Sequence, residues 1–163
     1  MKKNLFILIL IFLCFNLFAY EKFTNMFGVT KGMSMDEVKK HAESENWLFQ
    51  SEKDGCLYYM PSIQRMGFEG FYGAMVPQFV VSFKNDGVSS FIFATNIEDT
   101  DTLAGVLNQL DEKYGLEYAG TYKDHYLCYK MSEGDLLLLS WETSRNLLTG
   151  EISEYIQFTI NMF

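Results

Sequence analysis

The side chains that could ligate a metal are few: His41, His125, Cys56 and Cys128. A structural zinc site usually takes four ligands, often in close pairs such as C-x-x-C, and none of these four is so spaced. Nucleophilic catalysis finds no firmer footing. Asp124 and His125 are adjacent, but neighbouring strand residues point to opposite faces and do not make a dyad. The chain has no G-x-S-x-G elbow and no glycine loop able to cradle a phosphate. The carboxylate pairs Asp99–Asp101 and Asp111–Glu112 fall on or near expected helix ends, where capping and solvation account for them. A glycosidase pair set across a cleft stays open at this level. The sequence therefore carries no catalytic motif and calls for no metal and no cofactor.

Residues with binding character lie between Tyr59 and Gln78, a long connection holding both prolines, Pro61 and Pro77. Within it, Gly67-Phe68-Glu69-Gly70-Phe71-Tyr72-Gly73 alternates glycines with aromatics, and Met60, Arg65, Met66 and Met75 surround it. Long loops in compact domains are often functional, and aromatic, Met and Arg side chains are what protein interfaces enrich. Arg65, Phe68, Phe71 and Tyr72 are thus the candidate contact residues of an exposed recognition loop. The alternative is that Phe68 and Phe71 fold back onto the core as an irregular strand, with glycine at bulges. A hairpin tip at Arg145–Gly150, carrying Leu147 and Leu148, is a second contact candidate.

The elements that must position these residues belong to a chain of 163 residues, long enough for one domain. Hydrophobic residues make up 48% and aromatics 17%, which supplies a core and excludes intrinsic disorder. With 21 acidic against 13 basic residues and a pI near 4.7, nucleic acid is excluded as a partner, because phosphate binding needs clustered Lys and Arg. Lys2 and Lys3 precede an apolar run from Leu5 to Phe18 that ends at Ala19. That run is shorter than the roughly 20 residues needed to span a bilayer, so it reads as a secretory signal peptide cut after Ala19. An uncleaved anchor and a lipoprotein modified at Cys14 are the other readings. Cleavage leaves 11 basic and 21 acidic groups and a net charge of −10, with no insertion into the membrane expected. An oxidising compartment would then allow a Cys56–Cys128 disulfide, worth about 4 kcal/mol in the chain-entropy model. Two free thiols are the alternative.

Ser34-Met35-Asp36-Glu37 is a capping box, flanked by Met33 and Val38 as a hydrophobic staple. It predicts a helix to about Asn46 that buries Met35, Val38 and Ala42. Leu103, Val106, Leu107, Leu110 and Tyr114 form one stripe at helical period, with Asp99, Thr100 or Asp101 as cap and Gly115 behind. The rest reads as strands: Gln78–Lys84 and Val88–Thr95 about a three-residue Asn85-Asp86-Gly87 loop, then Leu116–Tyr122, His125–Met131, Asp135–Thr143 and Ile152–Asn161. The fold class is α+β, two helices packed on an antiparallel sheet.

Lys53-Asp54-Gly55-Cys56-Leu57-Tyr58-Tyr59 and Lys123-Asp124-His125-Tyr126-Leu127-Cys128-Tyr129 share Lys, Asp, Leu and Tyr at an offset of 70. Together with the order of elements, this points to a tandem repeat of a helix plus four strands, residues 28–97 and 98–163. Gly28-Val29-Thr30-Lys31-Gly32-Met33-Ser34-Met35-Asp36-Glu37-Val38 resembles the G-M-[ST]-x-x-[EQ]-V helix opening of β-lactamase-inhibitor-protein-like domains and of outer-membrane assembly lipoproteins of the SmpA/OmlA type. The resemblance implies helices on an antiparallel sheet and protein–protein binding in the envelope. The function expected is an exported, non-catalytic binding module, periplasmic or secreted, with an envelope or secreted protein as partner. The alternative is a small-ligand carrier or hydrolase with an aromatic-lined pocket.

Overall fold

The computed structural model describes residues 20–62, 64, 67–123, 125–131, 134–145, 150 and 152–162. Two helices, α1 (Met35–Ser44) and α2 (Thr100–Tyr114), lie against one face of an eight-stranded antiparallel sheet. Its strands are β3 (Leu48–Lys53), β4 (Cys56–Met60), β7 (Phe79–Lys84), β8 (Gly87–Thr95), β9 (Glu117–Tyr122), β10 (Tyr126–Lys130), β11 (Leu136–Arg145) and β12 (Ile152–Asn161). Two small hairpins, β1–β2 (Asn25–Met26, Val29–Thr30) and β5–β6 (Phe68–Phe71, Ala74–Val76), complete the described elements.

The helix starts follow from their caps. Ser34 Oγ accepts from the Glu37 N–H, and the Glu37 carboxylate accepts from the Ser34 N–H at 2.8 Å. Asp99 does the same work for α2, accepting from the Thr102 N–H at 2.7 Å. Gly115, at φ 63°, ends α2 in the left-handed region that glycine tolerates best. Val38 and Ala42 on α1, and Val106, Leu110 and Tyr114 on α2, are the buried stripes.

Strand order across the sheet is β3-β4-β7-β8-β12-β11-β10-β9. Each half gives this sheet four strands after its helix, the first half with the β5–β6 hairpin inserted between β4 and β7, and the last strands of the two halves, β8 and β12, pair at the centre. The offset of 70 seen in the sequence holds in space: α1 ends at Ser44 and α2 at Tyr114, while β4 spans Cys56–Met60 and β10 spans Tyr126–Lys130. The first strand pair of each half also carries a bulge, at Gln50 and at Ala119. A shared bulge in an edge strand is a second mark of repetition, independent of side-chain identity.

The core lies on the helix side. There Phe93 stacks on Phe158 across β8–β12, with ring centroids 5.3 Å apart, and Phe79 stacks on Phe91 at 5.6 Å. The loop expected between Asn85 and Gly87 is tighter than read from sequence, because Lys84 pairs with Gly87 and only Asn85 and Asp86 turn, both at positive φ. This two-residue geometry matches the twist of the flanking strands. Gly87 has a different duty: a Cβ there would stand 3.0 Å from the Cα of Gly32.

Candidate functional site

Of the two readings of this segment, the structure shows the irregular strand folded back onto the core and not the exposed recognition loop. Phe71 pairs with Ala74 across a two-residue turn, Tyr72-Gly73, forming the β5–β6 hairpin. Phe68 is 3% exposed and packs on Phe27, Trp47 and Phe79. Phe71 is 5% exposed and sits edge-on to Phe93 and Phe158. Asn96 fixes the hairpin, its Oδ1 accepting from the Met75 N–H at 2.7 Å and its own N–H donating to the Met75 carbonyl. Neither Phe68 nor Phe71 therefore offers an exposed contact, because burying both rings outweighs leaving them in water. Tyr72 is half-buried beside Phe71, and burial, followed by its hydrogen bond with Tyr114, pushes its phenol up. Arg65, Leu147 and Leu148 lie outside the described residues.

Cys56 and Cys128 are free thiols. They stand on β4 and β10 with β7, β8, β12 and β11 between them. Five inter-strand steps of about 4.8 Å put them roughly 24 Å apart, far beyond the span of a disulfide. The bridge is therefore excluded by topology, which the spacing along the chain could not reveal. His41 places its Nε2 2.9 Å from the Phe27 carbonyl and its ring edge-on to Trp47. Among the described residues no three His, Cys, Asp or Glu side chains converge on a metal position.

The surface that remains is the sheet face turned away from the helices. Register places one row of side chains straight across it, Tyr58–Val80–Ile92–Thr159–Leu138–Cys128. All six are half-buried by their neighbours, and among the described residues no helix covers them. A second row runs Ala94–Gln157–Ser140–Tyr126–Tyr122. Seven steps of about 4.8 Å make the face roughly 34 Å wide, a span suited to an interface of standard size.

Its charge differs from that of the whole chain. Lys53, Lys84 and Lys130 all lie at one end of this face, against Asp54 at 3.9 Å from Lys53, Glu117 beside Lys130 and Glu142 toward the far end. Much of the acid stands instead on the helices and the turns that lead into and out of them: Asp36, Glu37, Glu43 and Glu45, then Glu98, Asp99, Asp101, Asp111 and Glu112. Sequence reasoning missed this face because its apolar members come singly from six strands. The alternation along β12 was the one signal that pointed to two unlike sheet faces.

Compared with family models, characterised proteins and solved structures, the chain matches none. Among the described residues no helix is long and apolar enough to cross a membrane.

Proposed function

We propose that the chain is an exported, non-catalytic binding module, periplasmic or secreted, that engages a protein partner through the helix-free face of its sheet. The observation that carries this reading is the uncovered row Tyr58–Val80–Ile92–Thr159–Leu138–Cys128, flanked by Tyr126 and Tyr122 and bounded at one end by three lysines. Aromatic and aliphatic centres with charged rims are the anatomy of protein interfaces. The lysines set the partner's chemistry: an apolar surface with acidic groups facing Lys53, Lys84 and Lys130. Export is supported by Lys2, Lys3 and the apolar run ending at Ala19. The resemblance of the α1 opening to envelope modules is in keeping with a partner in that compartment.

The test is charge reversal. Lys53→Glu, Lys84→Glu and Lys130→Glu change exposed residues and should leave the melting temperature within about 2 °C, since surface substitutions seldom cost more than half a kcal/mol. The triple variant should lose capture of a protein that the unaltered chain retains, and the loss should be partly mimicked by raised salt. Equal capture by both chains would remove this face from the interface.

A further inference from the structure

Where α1 meets the outer strands of the first half there is a cavity of about 390 Å³, lined by Lys39, Ala42, Glu43, Trp47, Phe49, Glu52 and Tyr59. Two local features build it. Lys39, Ala42 and Glu43 are three and four apart, so they share one face of α1. On β3, Phe49 pairs with Tyr59 and Glu52 with Leu57, and the bulge at Gln50 brings Phe49 and Glu52 to the same face although they are three apart. Without that extra residue, strand alternation would send Glu52 to the opposite side.

Three aromatic rings meet there. Tyr59 lies 5.6 Å from Trp47 and 5.9 Å from Phe49, edge to face with both. Tyr59 is 2% exposed, and its hydroxyl has no hydrogen-bond partner among the described residues. A buried hydroxyl left unpaired costs about 1–3 kcal/mol, which a ligand atom bonded to it would recover. Charge at the rim is unbalanced. Lys39 Nζ pairs with Glu52 at 2.8 Å, leaving the Glu43 carboxylate as the excess charge beside the negative end of the α1 dipole. Burial, and then Glu43 and Glu52, push the Tyr59 phenol up to about 12, so it stays neutral near pH 7 in a field that favours cations.

We propose that this cavity is a binding site for a small organic ammonium ion with an apolar body. The body stacks among Trp47, Phe49 and Tyr59, the ammonium faces Glu43, and an ammonium N–H donates to Tyr59 Oη. Cation–π attraction from the rings adds to the carboxylate's pull. Phe49, on the edge strand and 53% exposed, is the ring that turns aside to admit the ligand. The second half supplies an internal control. It repeats the ring pair as Tyr118 on Tyr129 at 5.5 Å, but Lys113, Leu116 and Thr121 stand where the first half has Glu43, Trp47 and Glu52. One site per chain follows. This inference is independent of the sheet-face reading.

The test uses phenethylammonium as probe and phenylacetate as the anion of the same body. In a Trp141→Phe background, Trp47 is the sole tryptophan and its emission reports binding directly. Phenethylammonium should shift that emission saturably, with calorimetry giving one site, and phenylacetate should not. Glu43→Gln should weaken binding roughly threefold to fivefold, as for an exposed ion pair. Tyr59→Phe should weaken it about tenfold or more while leaving the fold intact, because it removes only the unpaired hydroxyl. Equal binding of phenylacetate, no saturable shift at millimolar probe, or two variants that both bind like the parent would overturn the proposal.

Discussion

Replacing Phe71 with Ala tests whether the β5–β6 hairpin belongs to the core. Phe71 is 5% exposed, and its ring stands edge-on to Phe93 at 4.7 Å and to Phe158 at 5.2 Å. Those two rings are themselves stacked at the β8–β12 junction, so the loss falls where the two halves meet. Withdrawing the buried ring forfeits about 2–3 kcal/mol of transfer free energy. A residual void on the order of 50 Å³ adds about 1 kcal/mol at roughly 24 cal/mol per Å³. The sum is about 3–4 kcal/mol. For a domain of this size each kcal/mol moves the melting temperature by about 3–5 °C, so a fall of roughly 10–20 °C is expected by calorimetry at pH 7. Tyr72→Phe, which keeps the neighbouring ring, is the control and should cost no more than the hydrogen bond with Tyr114, about 1 kcal/mol. A fall of under 3 °C for Phe71→Ala would mean that the ring is exposed, and the recognition-loop reading would return.

Four further outcomes follow from the same structure. Ser34→Ala removes the α1 cap and should cost about 1 kcal/mol in urea unfolding, with an unchanged slope. Hydrogen bonds from Ser34 hold the Glu37 carboxyl below its usual range, and those from Thr102 do so for Asp99. Both groups therefore contribute stability above their unfolded pKa values that is lost as pH falls through the lower folded ones; acid titration of Asp99→Asn should show a shallower loss below about pH 4. Gly28→Ala places a Cβ 2.7 Å from the His41 ring at φ +83°, and should destabilise by several kcal/mol, whereas His41→Ala in the same chain should relieve part of that cost. Cys56 and Cys128 should both react with a thiol reagent in the unfolded mature chain without prior reduction, and reductant should leave the melting temperature unchanged.

Local signals carried the helices and most of the strands. The Ser34–Glu37 box and the stripe from Leu103 to Tyr114 need only neighbours three and four residues away, so their elements stand where expected. The offset of 70 between Lys53–Tyr59 and Lys123–Tyr129 also survived, since hairpins at equivalent positions keep equivalent core partners. What failed depended on distant parts of the chain. Tyr72 turns a hairpin at φ 52°, a conformation that no turn preference assigns to tyrosine, so the sequence left a recognition loop and a core-packed irregular strand both open. The bulge at Gln50 breaks strand alternation, which hid the alignment of Phe49 with Glu52. The separation of Cys56 from Cys128, and the row of half-buried side chains on the open face, exist only once strand order is known.

Site-specific photocrosslinking tests the central claim most directly. A benzophenone amino acid placed at Tyr126, on the helix-free face, replaces one aromatic with another; the same residue at Asn108, on the outer side of α2, serves as the reference position. In cells that produce the protein, Tyr126 should yield an adduct of one discrete mass that disappears when Lys53, Lys84 and Lys130 are reversed to Glu, and Asn108 should yield none. An adduct from Asn108 alone, or one from Tyr126 that survives the charge reversal, would contradict a partner seated on this face.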